Sequence, residues 1–292
     1  MADLNAQLAM PCILCGNQTG NQILFTLFNP IVECAVCGLV YAEFSGRELS
    51  SEDYDHSYYI SGVYADYLGD REAIRRNANR VLIELGSLAP DRRLLDVGCA
   101  AGFFLEAARD RGWSVHGVEV SEYAARYARE QLHLPVDLGS ITGTSELLPK
   151  FDVITLWDTI EHLERPDLAL RNVRRLLSDK GVLAISTGDY GSIARRLCGR
   201  KWRLFSDPTH RFFFDQETLK RLLSKTGFEV TRLTHRGKWV SLSMILHQSR
   251  LPLAGAVRRW LAGKNLKPML YVNLRDVMTV FARPVTGLED PR

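Results

Sequence analysis

Between Arg92 and Gly188, five short apolar runs (RRLLDVG, SVHGVEV, LPVDLG, FDVITLW and GVLAIST) alternate with stretches whose apolar residues recur at helical spacing. Near-continuous apolar runs belong to strands buried on both faces, as parallel strands are when crossover helices cover the sheet. The alternation predicts an α/β fold: a doubly wound, Rossmann-like, mostly parallel sheet. Ser121 is placed to cap EYAARYAREQL. Pro166 with Asp167 opens LALRNVRRLLS, expected to close near Gly181. Ahead of the sheet, REAIRRNANRVLIELG carries Ile74, Ala78, Val81, Leu82 and Leu85 at helical spacing, and after it Asp215 caps QETLKRLLSKTG, with FEVTRLTHR and DVMTVFARP as two late strands.

Two CxxCG units, Cys12 to Gly16 and Cys34 to Gly38, stand eighteen residues apart. Each CxxC turn presents two sulfurs, and the glycine after it can take positive φ; four soft ligands suit tetrahedral zinc. Cys12, Cys15, Cys34 and Cys37 are therefore the expected ligands of a closed, structural Zn2+ site. Met1 to Gln7 has neither a basic region nor an apolar run, so disulfides are disfavoured and a cytoplasmic setting is expected. Cys99 and Cys198 fall outside the quartet. The expected organisation is a zinc ribbon at 1–45, a Tyr-rich connector and helix at 46–90, and a core at 91–292 with a lid at 190–214 and a C-terminal insertion at 243–270.

The 292 residues, 46% of them hydrophobic, suffice for a sizeable core. The net charge of +3 hides an asymmetry: residues 1–60 carry 1 basic and 7 acidic side chains, and residues 191–292 carry 20 and 7. A ribbon that gripped nucleic acid would need the opposite sign, so the charge disfavours nucleic acid as a partner. No apolar stretch is long enough to span a bilayer. The piece in which Leu253, Val257, Trp260 and Leu261 share a face could lie on a membrane, but packing on the sheet edge or on a second subunit is the plainer expectation. The oligomeric state is left open.

The run LLDVGCAAGFF reads as a strand, a turn at Gly98 and Gly102, and a helix. Such turns lie at the carboxyl edge of a doubly wound sheet, where ligands bind. The next strand ends at Glu119, 21 residues after Gly98, where a carboxylate can bridge two ribose hydroxyls. A dinucleotide fingerprint starting at Gly98 would need Gly at 100 and Gly or Ala at 103, where Ala100 and Phe103 stand. The turn thus favours a cofactor with an adenosine but no pyrophosphate.

Over about residues 70–285 the chain resembles the class I S-adenosylmethionine-dependent methyltransferases. LLDVGCAAG is similar to their first motif, Glu119 to their ribose-binding acid and FDVITLWDTIEHLERP to their fourth-strand motif. The resemblance implies that Asp96, Gly98, Cys99, Ala100, Gly102 and Phe103 hold the methionine part of S-adenosyl-L-methionine. It places Glu119 and Val120 at the ribose, Ser140 and Ile141 at the adenine edge, and Trp157 with Asp158 over the sulfonium. DVMTVFARP would supply the antiparallel seventh strand. Ala100 departs from the glycine many members have. More narrowly, the CxxCG pairs, CGLVY, HSYYISGVYADY and PTHRFFFDQETLKRLLSKTGF are similar to bacterial zinc-ribbon methyltransferases of glycan and natural-product biosynthesis, including nucleotide-sugar C-methyltransferases.

Transfer of a methyl group to a hydroxyl or acidic carbon needs alignment and removal of a proton. His162, just past the fourth strand, and His210, in SDPTHRFFF, are the candidate bases; either could instead hold its loop by hydrogen bonds. Tyr58, Tyr59 and Tyr64 could wall the acceptor or pack the connector. Arg195, Arg196, Arg200, Lys201, Arg203 and Arg211 concentrate charge in the lid and suggest a small, anionic acceptor such as a nucleotide-linked sugar, with Trp202 and Phe205 placed to stack a ring. The competing readings are an RNA base methyltransferase using the ribbon for recognition and a non-catalytic cofactor-binding scaffold.

Overall fold

The computed structural model describes residues 6–7, 10–25, 29–43, 54, 58–59, 67–89, 91–144, 148–248, 253–264 and 266–285. Near the N-terminus, β1 (Ala6–Gln7), β2 (Thr19–Phe25), β3 (Pro30–Cys34) and β4 (Val40–Ala42) form an antiparallel sheet. Helix α1 (Arg71–Leu88) follows and buries Ala73, Ala78, Leu82 and Leu85, one stripe of its surface.

The central sheet is built from β5 (Arg93–Val97), β6 (Ser114–Glu119), β7 (Val136–Leu138), β8 (Phe151–Trp157) and β9 (Leu177–Gly188). Alternating with these strands are α2 (Phe103–Arg109), α3 (Glu122–Leu132), the short α4 (Ile141–Thr144) and α5 (Pro166–Leu176). The strand order is β11-β14-β9-β8-β5-β6-β7, where β11 is Phe228–Thr234 and β14 is Val277–Pro284. Strand β14 runs antiparallel to both of its neighbours and the other pairs are parallel, which is the expected α/β architecture with one late reversed strand. Ser121 accepts the Ala124 N–H as the cap of α3. Helix α5 stops at Leu176, short of Gly181, because Leu177 is already paired with Phe151 of β8.

The segment expected as a lid is more deeply integrated than that word implies. It holds α6 (Ile193–Cys198), two turns of 3-10 helix, and β10 (Phe212–Phe213), which pairs with β4 and completes the N-terminal sheet. Trp202 and Phe205 are 2% and 7% exposed and pack with Leu24, Ile31, Val40 and Phe213, so they join the N-terminal sheet to the core and stack no ligand. Asp215 and Thr218 form a reciprocal capping box on α7 (Gln216–Lys225). Between β11 and β14 lie β12 (Lys238–Ser241), α8 (Leu242–Gln248), α9 (Ala254–Gly263) and β13 (Met269–Val272), with β12 and β13 paired as a two-stranded ribbon.

Candidate active site

The carboxyl ends of β5, β6, β7 and β8 open into a cavity of about 580 Å³, within the size range of small-molecule sites. Its floor is the turn after β5. Gly98 has φ +72°, and a Cβ there would stand 2.7 Å from both Cγ2 and Oγ1 of Thr159, so the turn needs glycine on both counts. Ala100 also lies in the left-handed region, at φ +47°, and this aims its N–H at Glu119.

Glu119 closes β6 and is 5% exposed. Its Oε2 accepts the Ala100 N–H at 2.7 Å and its Oε1 accepts the Ser121 N–H at 2.8 Å. Burial raises its pKa, and backbone N–H bonds from Ser121 and Ala100 pull the other way. Each oxygen keeps a lone pair for a hydroxyl donor. Asp96, 2% exposed, accepts the Thr155 hydroxyl at 2.6 Å; burial and the neighbouring Glu119 push its carboxyl up to about 7. Trp157 Nε1 is buried and has no hydrogen-bond partner among the described residues, leaving a donor at the cavity wall.

Asp158 follows β8 at φ +50° and meets Ser186 Oγ at 2.7 Å and Lys238 Nζ at 2.5 Å. Partial desolvation in the cavity wall raises the Asp158 carboxyl, but the Lys238 ammonium and the Ser186 hydroxyl more than reverse this and hold it at about 2. Four residues on, His162 reaches the same cavity. Its Nδ1 lies 3.2 Å from Thr209 O and 3.0 Å from Thr209 Oγ1. The Thr209 hydroxyl spends its own hydrogen on Asp207 at 2.6 Å, so both Thr209 oxygens are acceptors toward His162. Nδ1 therefore carries the proton and Nε2 the lone pair. Burial, reinforced by His210, depresses the His162 pKa to about 4.

Of the residues expected at the cofactor, Asp96, Gly98, Cys99, Ala100, Glu119, Val120, Ser140, Ile141, Trp157 and Asp158 line this cavity. Gly102 and Phe103 do not. Gly102, at φ +83°, caps α2 against Leu134 and Ala128, and Phe103 is fully buried and stacks on Tyr67 with ring centroids 5.6 Å apart. His210 stands behind His162, ring centroids 4.7 Å apart, with its Nδ1 on Leu204 O at 2.8 Å; it packs and does not face the cavity. Tyr54, Tyr58, Tyr59 and Tyr67 line the cavity, and Ser121 Oγ donates to Tyr54 O at 2.6 Å. Tyr64 lies outside the described residues.

Of the six lid cations, Arg211 alone lines the cavity. Arg203 pairs with Asp276 at 3.1 Å and Arg195 lies over the Tyr190 ring, away from it. The other cations of the lining are Arg80, Arg236, which pairs with Glu84, and Lys238, which pairs with Asp158; no local pattern marks them. Asn77 of α1 fixes this wall: its Nδ2 donates to Trp239 O and its Oδ1 accepts the Trp239 N–H, both at 2.8 Å.

The quartet Cys12, Cys15, Cys34 and Cys37 has its sulfurs within 4.8 Å of one another, with Cys12 to Cys37 and Cys15 to Cys34 both 3.5 Å apart. Tetrahedral Zn–S bonds place sulfurs about 3.8 Å apart, so the donor set fits zinc. Gly16 and Gly38 have φ +77° and +73°, and their N–H groups close the two turns onto the Cys12 and Cys34 carbonyls.

A family model described as a methyltransferase domain matches residues 67–233. The ubiquinone biosynthesis O-methyltransferase of Histophilus somni is 35% identical over 108 residues, which are 33% of this chain and 45% of that protein. Its counterpart in Nitrobacter winogradskyi is 30% identical over 171 residues, 55% of this chain and 65% of that protein. The chain spans less than half the length of the first of these relatives. Among solved structures, a SAM-dependent methyltransferase from Archaeoglobus fulgidus superposes with TM-score 0.52 at 21% identity, covering 73% of this chain and 94% of its own. The magnesium protoporphyrin IX methyltransferase from Synechocystis, with bound SAH, gives 0.52 at 14%, covering 80% and 100%. At these identities the two structures speak to the fold.

Proposed function

Because this chain belongs to the methyltransferase domain family, we propose that it transfers a methyl group from S-adenosylmethionine to an oxygen of a small, anionic, ring-bearing acceptor. The observation that carries the reading is Glu119: a buried carboxylate at the end of the second strand, held by two backbone N–H groups over a turn with positive φ at Gly98 and Ala100. Glu119 would hold the ribose, Gly139 to Ile141 the adenine edge, Asp96 and the turn the methionine part, and Trp157 with Asp158 the sulfonium side. When bound, the cofactor supplies a methyl group on a positive sulfur, and the protein's task is to align an acceptor for in-line displacement.

His162 serves that task. Its Nδ1–H is anchored on Thr209, and its Nε2 lone pair is the group available to accept the acceptor's proton. A pKa near 4 keeps it neutral at neutral pH. Tyr54, Tyr58, Trp157 and Trp239 offer apolar faces for a ring; of the lining cations Lys238 is paired with Asp158 and Arg236 with Glu84, whereas Arg80 bonds the Gly237 carbonyl and the Tyr271 hydroxyl and keeps its charge for an anionic group on the acceptor. Oxygen as the methyl acceptor follows the named O-methyltransferase relatives, none of which is named for a nucleotide sugar. The cysteine quartet would hold Zn2+ as a structural staple for the N-terminal sheet, away from the cavity.

The test is a panel of phenolic carboxylates and nucleotide sugars incubated with S-adenosylmethionine, read as S-adenosylhomocysteine released. Turnover of phenolic acids, abolished in His162→Ala, supports the reading. Turnover of nucleotide sugars alone would overturn the acceptor class.

A further inference from the structure

From Arg236 to Arg275 the chain carries eight Lys and Arg residues and not one Asp or Glu. This forty-residue stretch is the excursion between β11 and β14, and it contributes Lys238, Trp239, Val240, Ser241 and Met244 to the cavity wall. It also exposes large apolar side chains. The apolar face of α9, for which packing on the sheet edge or on a second subunit is the plainer expectation, divides: Ala254 and Leu261 are buried, whereas Leu253, Val257 and Trp260 are 73%, 39% and 58% exposed. Positions 253, 257, 260 and 264 fall on one stripe of a 3.6-residue helix, so the exposed stripe ends in Lys264. Leu270 and Tyr271 on β13 are also about half exposed, at 49% and 48%.

A solvated face has no use for an exposed Trp with Leu and Val on one stripe, and a protein partner of mixed charge has no use for the absence of every acid. Both features suit one surface: a bilayer with anionic headgroups, into which apolar side chains insert while Lys and Arg stay at the phosphate level. No helix among the described residues is long and apolar enough to cross a membrane, so the contact is interfacial. We propose that the excursion between β11 and β14 docks this protein onto an anionic lipid bilayer through Leu253, Val257 and Trp260, with Arg259 and Lys264 at the headgroups. Docking brings the cavity to the membrane, because the same excursion forms part of its wall.

The experiment is co-sedimentation of the full chain with vesicles of phosphatidylcholine alone or with a third of phosphatidylglycerol. Binding is expected to the mixed vesicles only, and to fall steeply between low and high salt. Trp260→Asp should weaken it about tenfold or more. Arg259→Glu with Lys264→Glu should weaken it by roughly fivefold per cation. Neither change touches the cavity lining, so S-adenosylhomocysteine affinity measured on the same preparations should stay within error of wild type. That readout separates failure of docking from failure of the methyltransferase reading. Equal sedimentation with both vesicle types, or none, overturns the proposal. So does a dimer in sedimentation equilibrium that Trp260→Asp dissociates while vesicle binding is unchanged, which would assign the face to a second copy of the chain.

Discussion

Glu119→Gln separates the two jobs assigned to one carboxylate. Its oxygens accept N–H groups from Ala100 at 2.7 Å and Ser121 at 2.8 Å, so both are needed as acceptors. Glutamine keeps the shape but replaces one oxygen with an NH2 group, which must face a backbone N–H. One part-buried donor is then left without an acceptor, at about 1–3 kcal/mol, which lowers the melting temperature of a chain this size by roughly 3 °C for a 2 kcal/mol loss. The second job is the hydrogen bond from a ribose hydroxyl to an ionised acceptor, worth about 1.5–3 kcal/mol, or roughly 10- to 150-fold in affinity. Thermal melts without cofactor read the first effect, and titration with S-adenosylhomocysteine reads the second. A Glu119→Gln protein that melts lower but binds with wild-type affinity would show that the carboxylate only braces the turn. Wild-type values in both assays would refute the geometry itself.

Gly98→Ala should abolish cofactor binding, because φ +72° and a contact at 2.7 Å to Thr159 act together. Adding Thr159→Ala relieves only the contact, so titration of the double variant should recover part of the affinity and leave about 1–2 kcal/mol of left-handed strain. The pH profile of wild-type kcat/KM should show an acid limb near pH 4, since burial and His210 hold His162 neutral down to that value; a limb near 6.5 would place the histidine in solvent. The same depression has a stability consequence: as pH falls from about 6.5 toward 4 the unfolded chain takes up a proton that the native site refuses, so His162 destabilises the fold on acidification and His162→Gln should flatten that slope in chemical melts. Metal analysis should find one zinc per chain, and Cys15→Ser should lower both zinc content and melting temperature; a metal-free protein with an unchanged melt would remove zinc from the account.

The sheet is legible because strands buried on both faces are largely apolar: Leu94 and Leu95 in β5, Val153 to Leu156 in β8 and Val182 to Ile185 in β9 are fully or nearly fully buried, with Thr155 the one polar side chain in these stretches. The turn is legible for a related reason, as a left-handed position pressed against a neighbouring side chain leaves a glycine in the sequence, and Gly98, against Thr159, is one. The integration of residues 190–214 into the N-terminal sheet is not legible in the sequence because its determinants are not local. Phe212 and Phe213 pair with Tyr41 and Val40 far earlier in the chain, a contact no periodicity announces. Charge density alone puts Arg195 to Arg203 at the ligand, whereas the cavity's cations are Arg80 of α1, Arg211, Arg236 of the loop before β12 and Lys238 at the start of β12, with Asn77 and Trp239 holding that wall together. Trp202 and Phe205 looked like stacking platforms because burial is invisible in a run rich in arginine. His162 and His210 looked equivalent in sequence, and only the partners of their ring nitrogens distinguish them: His210 packs behind, while His162 keeps Nε2 for the cavity.

The central claim is that the cavity at the carboxyl ends of β5 to β8 is a methyl-donor site. A crystal structure of the protein with S-adenosylhomocysteine tests it most directly. The ligand is expected in this cavity, with its ribose hydroxyls on Glu119 and its sulfur on the side of Trp157 and Asp158. Density elsewhere, or a ribose that avoids Glu119, would contradict it.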